Sequence, residues 1–130
     1  MEDTVGKRTR ITGLRTVGVP VGDRDRALKF YGDVLGFETR VDTTGQGMRW
    51  VEVAPPGAST SIALVAATEE TPPGTDTGIR LTTEDAEADH TYLAAHGVQV
   101  DPAISRWPGV PPMFQFSDPD GNRLVIIQSA

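Results

Sequence analysis

Asp23 and Asp85 stand 62 positions apart, Phe30 and Tyr92 are again 62 apart, and Gly36 and Gly97 are 61 apart. Each pair marks the same place in a helix-like segment. An acid caps the start, an aromatic residue sits on the apolar stripe, and a glycine takes the position just past the end. An internal repeat this regular within 130 residues constrains the fold more than composition does, because it demands two copies of one supersecondary unit.

The unit is read from the first copy. In residues 14–21, LRTVGVPV, Val17, Val19 and Val21 alternate with Thr16, Gly18 and Pro20, the period of a half-buried strand. After the Asp23 cap, Ala27, Phe30, Tyr31, Val34 and Leu35 form a continuous helical stripe that packs on the valine face and stops at Gly36. β-rich runs follow at 37–42, 48–54 and 59–66, with GQG at 45–47 as a hairpin turn. The second copy repeats the order: strand TGIRLTT, a helix over about 84–96, a short VQV strand, then MFQFS and RLVIIQ around the turn DPDGN. The fold class is therefore α+β, two βαβββ modules in tandem. Module one spans 11–68 and module two 77–130, joined through EETPPGTD, with residues 1–10 as a flexible leader to a single domain of 11–130. Each sheet has one face covered by its helix and the other bare. The bare faces then form a concave mixed-sheet cleft with the helices outside, or meet a second chain.

Composition excludes several classes of function. No cysteine is present, which removes disulfides, thiolate metal sites and cysteine nucleophiles and suits a cytoplasmic protein. No apolar run approaches the roughly 20 residues of a membrane span, and the opening MEDTVGKRTR lacks the apolar core of a signal peptide. A net charge of −6 opposes nucleic-acid binding. The basic residues Lys7, Arg8, Arg10 and Arg15 read as a solvated leader.

The segments VGVPVGDRDRALKFYGDVLGFETRVD and MFQFSDPDGNRLVIIQ resemble the vicinal oxygen chelate superfamily, which includes glyoxalase I, extradiol dioxygenases and bleomycin-resistance proteins. Phe30-Tyr31, Leu35-Gly36-Phe37 and the Asp118–Asn122 turn carry the likeness. In metal-dependent members the resemblance implies a His or Gln early in each module's first strand and a Glu in its last. The matching positions here are Thr16, Gly78, Ala63 and Val125. None offers an imidazole, carboxylate or thiolate, and a slip of one residue at the last site brings only Leu124 or Ile126. The expected member has lost its metal site and uses no cofactor.

Among the remaining groups, Glu52 shares a strand face with Met48 and Trp50, opposite Arg49, Val51 and Val53. If the valines face the helix, Glu52 faces the cleft, where apolar surroundings would raise its pKa and suit it to general acid/base work. His90 and His96 both fall in the second helix and read as surface or helix-end residues. Trp50, Trp107 and Phe114 are candidate pocket walls, with Arg49 as a candidate anion contact; core packing is the competing reading for the aromatics. The ligand-lining set is then Thr16, Arg49, Trp50, Ala63, Gly78, Trp107, Phe114 and Val125. Two functions fit: a homodimeric protein sequestering an apolar or aromatic small molecule without metal, or a metal-free lyase, isomerase or hydrolase using Glu52.

Overall fold

The computed structural model describes residues 8–129. Of the expected leader, residues 1–7 lie outside the described residues, and residues 8–10 are exposed and irregular.

Two four-stranded mixed sheets are present, one from each module. The first holds β1 (Thr16–Val21), β2 (Glu38–Gly45), β3 (Met48–Ala54) and β4 (Ser61–Ala66) in the order β1-β4-β3-β2. The second holds β5 (Asp76–Thr83), β6 (Ser105–Trp107), β7 (Val110–Ser117) and β8 (Arg123–Gln128) in the order β5-β8-β7-β6. In each, the first and last strands pair in parallel and the rest antiparallel. The tandem α+β repeat is therefore present down to strand order.

The helices obey their caps. In α1 (Arg24–Lys29) the Asp23 carboxylate accepts from the backbone N–H groups of Asp25 and Arg26, and in α2 (Ala86–Ala95) Asp85 accepts from Ala88. Gly36 and Gly97 hold φ of 80° and 78°, a left-handed conformation that ends each helix at low cost. The first helix differs from the expected uniform stripe. It widens into a π-helical turn over Phe30–Val34, where the Leu35 N–H reaches back to the Phe30 carbonyl at 3.1 Å. The wider turn lets the consecutive residues Phe30 and Tyr31 both enter the core, edge to face with centroids 5.3 Å apart.

One apolar cluster joins both modules. Val19, Val21, Val51, Val53, Ile62 and Leu64 supply it from the first sheet, and Phe114, Phe116, Leu124 and Ile126 from the second. Both helices contribute, through Ala27, Phe30, Tyr31, Ala86 and Leu93. Burying each of these large side chains is worth about 1.5–3 kcal/mol.

The turn at 118–122 explains its own sequence. The Asp118 carboxylate accepts the Tyr31 hydroxyl at 2.9 Å, the Asn122 side-chain amide at 3.0 Å, and the backbone N–H groups of Asp120 and Asn122. Asn122 donates to the Pro20 carbonyl at 2.7 Å and accepts from the N–H groups of Gly74 and Thr75. Asp120 accepts from Gly22 N–H and from Arg26. Gly121, at φ 82°, makes the bend. The motif is thus a clasp tying module two to β1, α1 and the linker of module one. Burial, and next the Asp118 carboxylate, push the Tyr31 hydroxyl far above its usual pKa, so it remains a donor.

The 62-residue offset sets residues 55–60 opposite residues 117–122, but no second clasp forms. Leu93 replaces Tyr31, and the 55–60 turn is held instead by Arg40, which donates to the carbonyls of Ala58 and Pro55.

The expected VQV strand is a correction. Residues 98–101 do bond to β7, through Ser117 N–H to Gln99 O and Asp101 N–H to Gln115 O, but only a bridge at Val100 qualifies as sheet. Pro102 follows and cannot extend the ladder. The edge strand is instead Ser105–Trp107, joined to β7 by Pro108 and Gly109, the latter at φ 79°, the signature of a type II turn.

Tyr31→Phe should lower the unfolding free energy by about 1–3 kcal/mol, because Asp118 stays buried and loses a donor. Urea denaturation checks it, and an unchanged midpoint would refute the clasp's energetic role.

Candidate functional site

Strand alternation assigns the faces. Val17, Val19 and Val21 turn to the shared core, so Thr16, Gly18 and Pro20 occupy the bare face of the first sheet. Register carries that face across the sheet: Gly18 pairs with Ala63 and Ala63 with Glu52, which in turn faces Val41. Thr16 pairs with Ser61. Thr16, Trp50, Glu52 and Ala63 therefore share one surface. On the second sheet Val125 pairs with Arg80, and Gly78 sits in the irregular stretch between Asp76 and Arg80 at φ 73°.

Glu52 is the chemical centre of the first surface. Although on the bare face, it is only 3% exposed. Its Oε1 accepts the Ser61 hydroxyl at 2.7 Å, and its Oε2 accepts the Trp50 indole N–H at 2.6 Å and Arg15 at 3.5 Å. The expectation of a raised pKa is corrected. The Ser61 hydrogen bond, then that of Trp50, stabilise the carboxylate more than burial penalises it, so its pKa lies below the ordinary value. Glu52 is ionised at neutral pH and its lone pairs are occupied.

Other expected residues lie elsewhere. Arg49 is on the core-side face of β3, bound by Asp42 at 2.9 Å and by Asp25 at 2.9 Å. Phe114 is 1% exposed and packs edge to face on His90, with centroids 5.0 Å apart, so it belongs to the core. The reason is parity: Phe114 and Phe116 share the β7 face that meets the helices. His90 is tied at Nε2 to the Asp101 carbonyl, and His96 lies at the helix end against the Tyr92 carbonyl. Trp107 is 65% exposed on the edge hairpin.

A groove of about 970 Å³ opens between the modules beside the 55–60 turn. Its walls include Val17, Phe37, Ile62, Ile79, Leu81 and Tyr92, and of the expected site residues only Gly78 borders it. Sequence reasoning missed this groove. Its signal was the absence of a DPDGN-like motif from residues 55–60.

The chelate positions do not fit a metal. Thr16 spends its hydroxyl proton on the Ser61 carbonyl at 3.1 Å, and Ala63, Gly78 and Val125 carry no donor atoms. Among the described residues no three His, Cys, Asp or Glu side chains cluster closely enough to share an ion.

Paired βαβββ modules with a bare sheet face define a class of fold whose chemistry is set by what that face carries. The family model of the glyoxalase/bleomycin resistance protein/dioxygenase superfamily matches residues 13–126, and the chain belongs to that superfamily. It is 37% identical to TnmS3, an antibiotic binding protein from Streptomyces sp. CB03234, covering 95% of this chain and 100% of that one with a TM-score of 0.84. A superfamily member from Sphaerobacter thermophilus DSM 20745 is 34% identical over 93% of this chain and 100% of its own, with a TM-score of 0.87. The uncharacterized protein YetH of Bacillus subtilis (strain 168) is 29% identical over 89% of this chain and 98% of its own.

The depressed pKa of Glu52 has a consequence for stability. A carboxyl whose folded pKa lies below its unfolded value stabilises the fold above the ordinary carboxylate range, and that stabilisation is lost as pH falls through the folded pKa. The stability gap between the native protein and Glu52→Gln should therefore shrink on acidification from about pH 7 to about pH 3. Denaturant titrations at both ends check it; a gap independent of pH would show that the carboxylate charge contributes nothing.

Proposed function

We propose that this chain is a metal-independent small-molecule-binding protein that sequesters an apolar or aromatic compound on the bare sheet face around Trp50. The observation that carries this reading is the Glu52–Trp50–Ser61 cluster, an exposed indole held on a face where superfamily enzymes place metal ligands. The antibiotic-binding neighbour supports the same class of role. Affinity would come from apolar area, at roughly 25 cal/mol per Å², and no catalyst is required. Glu52 is poorly suited to the metal-free lyase, isomerase or hydrolase alternative, since an ionised, hydrogen-bond-saturated carboxylate of lowered pKa is a weak proton acceptor.

The working unit in this reading is a homodimer. Met48, Trp50, Trp107 and Val110 are large apolar side chains exposed on the single chain, and a second copy over the bare faces would cover them. A cytoplasmic site of action fits the cysteine-free sequence.

Titration of tryptophan fluorescence with uncharged aromatic compounds should give saturable quenching, and Trp50→Ala should weaken binding about tenfold or more, equivalent to about 1.4 kcal/mol. Absence of any spectral change across such a series would overturn the reading. Dialysis against zinc followed by metal analysis should find no retained stoichiometric ion; one tightly held equivalent per chain would refute metal independence. Sedimentation equilibrium should return twice the chain mass.

A further inference from the structure

We propose that Glu52 is a positioning residue whose buried carboxylate fixes the exposed Trp50 indole as a rigid wall, and that this wall selects flat, uncharged aromatic ligands. The inference rests on the binding reading above and deepens it.

Trp50 is 42% exposed. A tryptophan so placed ordinarily exchanges rotamers, and ordering it when ligand arrives costs about 0.5–1.5 kcal/mol. Here its one polar atom is held at 2.6 Å by an ionised acceptor, a charge-assisted bond of the stronger kind. The acceptor is itself immobile. Ser61, 4% exposed on the adjacent strand, holds Oε1 at 2.7 Å, and Ser61 is fixed in turn by register with Thr16, whose hydroxyl donates to the Ser61 carbonyl. The ring is thus ordered before any ligand binds.

Ligand class follows from what surrounds the ring. The charges nearest the indole, Glu52 and Arg15, pair with each other at 3.5 Å, so the wall offers a π face and no free ion. Gly18, on the same face, leaves space above the sheet: a Cβ there would meet only Val65 at 4.0 Å. A flat ring fits beside a fixed indole over a floor without side chain, and aromatic pairs of this kind contribute about 0.5–1.5 kcal/mol beyond their buried area.

The test uses the full chain carrying Trp107→Phe, so that Trp50 is the lone fluorophore. The uncharged probe is N-phenyl-1-naphthylamine, and its sulfonated analogue 1-anilinonaphthalene-8-sulfonate is the charged control. Glu52→Ala should introduce a fast depolarising component into the time-resolved anisotropy of the indole and raise the Kd for the uncharged probe about tenfold. Glu52→Gln, whose side-chain carbonyl still accepts from the indole, should keep both near the parent values, a rescue that a purely electrostatic role would not give. If Glu52→Ala does not fold, Glu52→Leu removes the acceptor at similar volume and should show the same fast component. An unchanged anisotropy decay in the folded Ala or Leu variant overturns the positioning role, even where Trp50→Phe weakens probe binding and so upholds the binding reading. Equal or tighter binding of the sulfonated probe overturns the ligand class. Failure of the parent to bind either probe removes the binding reading, while the anisotropy comparison still decides whether Glu52 orders the ring.

Discussion

The interaction on which the rest depends is the buried hydrogen bond from the Tyr31 hydroxyl to Asp118, with the amide of Asn122 beside it. It spans 87 positions of sequence and joins the two copies of the repeat. A carboxylate in such surroundings is tolerated only when its lone pairs are satisfied, and Asp118 accepts four donors, two from side chains and two from the backbone. The constraint is mutual. The turn cannot relax without stranding the tyrosine, and the π-helical turn that presents Tyr31 cannot tighten without withdrawing either it or Phe30 from the core.

From that anchor the first sheet is held in place against the second module through Pro20 and Gly22 at the end of β1. Parity then decides the chemistry: with the valines committed to the core, Thr16 and Gly18 are turned to the other side, and register brings Ala63 and Glu52 into the same row. The face that carries the ligating residues in metal-dependent relatives is thereby preserved in geometry but furnished with a hydroxyl, a methyl, and a carboxylate whose partners are all protein groups.

Much of the fold was legible because it is written in local signals. The caps at Asp23 and Asp85, the terminating glycines and the valine alternation each act within a few residues. The site was legible only by face. Placing Glu52 with Trp50 and opposite Arg49 needed nothing beyond a period of two, but the sign of the Glu52 pKa shift depended on Ser61, nine positions away on the next strand. Phe114 was a fair candidate by composition and yet lies in the core, because which face of β7 meets the helices is a tertiary fact. The β6 hairpin had a local signal in Pro108-Gly109 that was read as irregular loop, and the π-helical turn has no sequence signature that periodicity detects.

The repeat is symmetric in its strands but not in its fastenings. At the position matching the clasp, module one has a turn held by the single side chain of Arg40, bordering an open groove. A segment secured from its own module can lengthen, shorten or exchange residues without disturbing how the halves fit together. Drift in shape is therefore cheap at one end of the molecule and ruinous at the other, and a lineage of such proteins has one rim free to vary while the opposite rim keeps the fold.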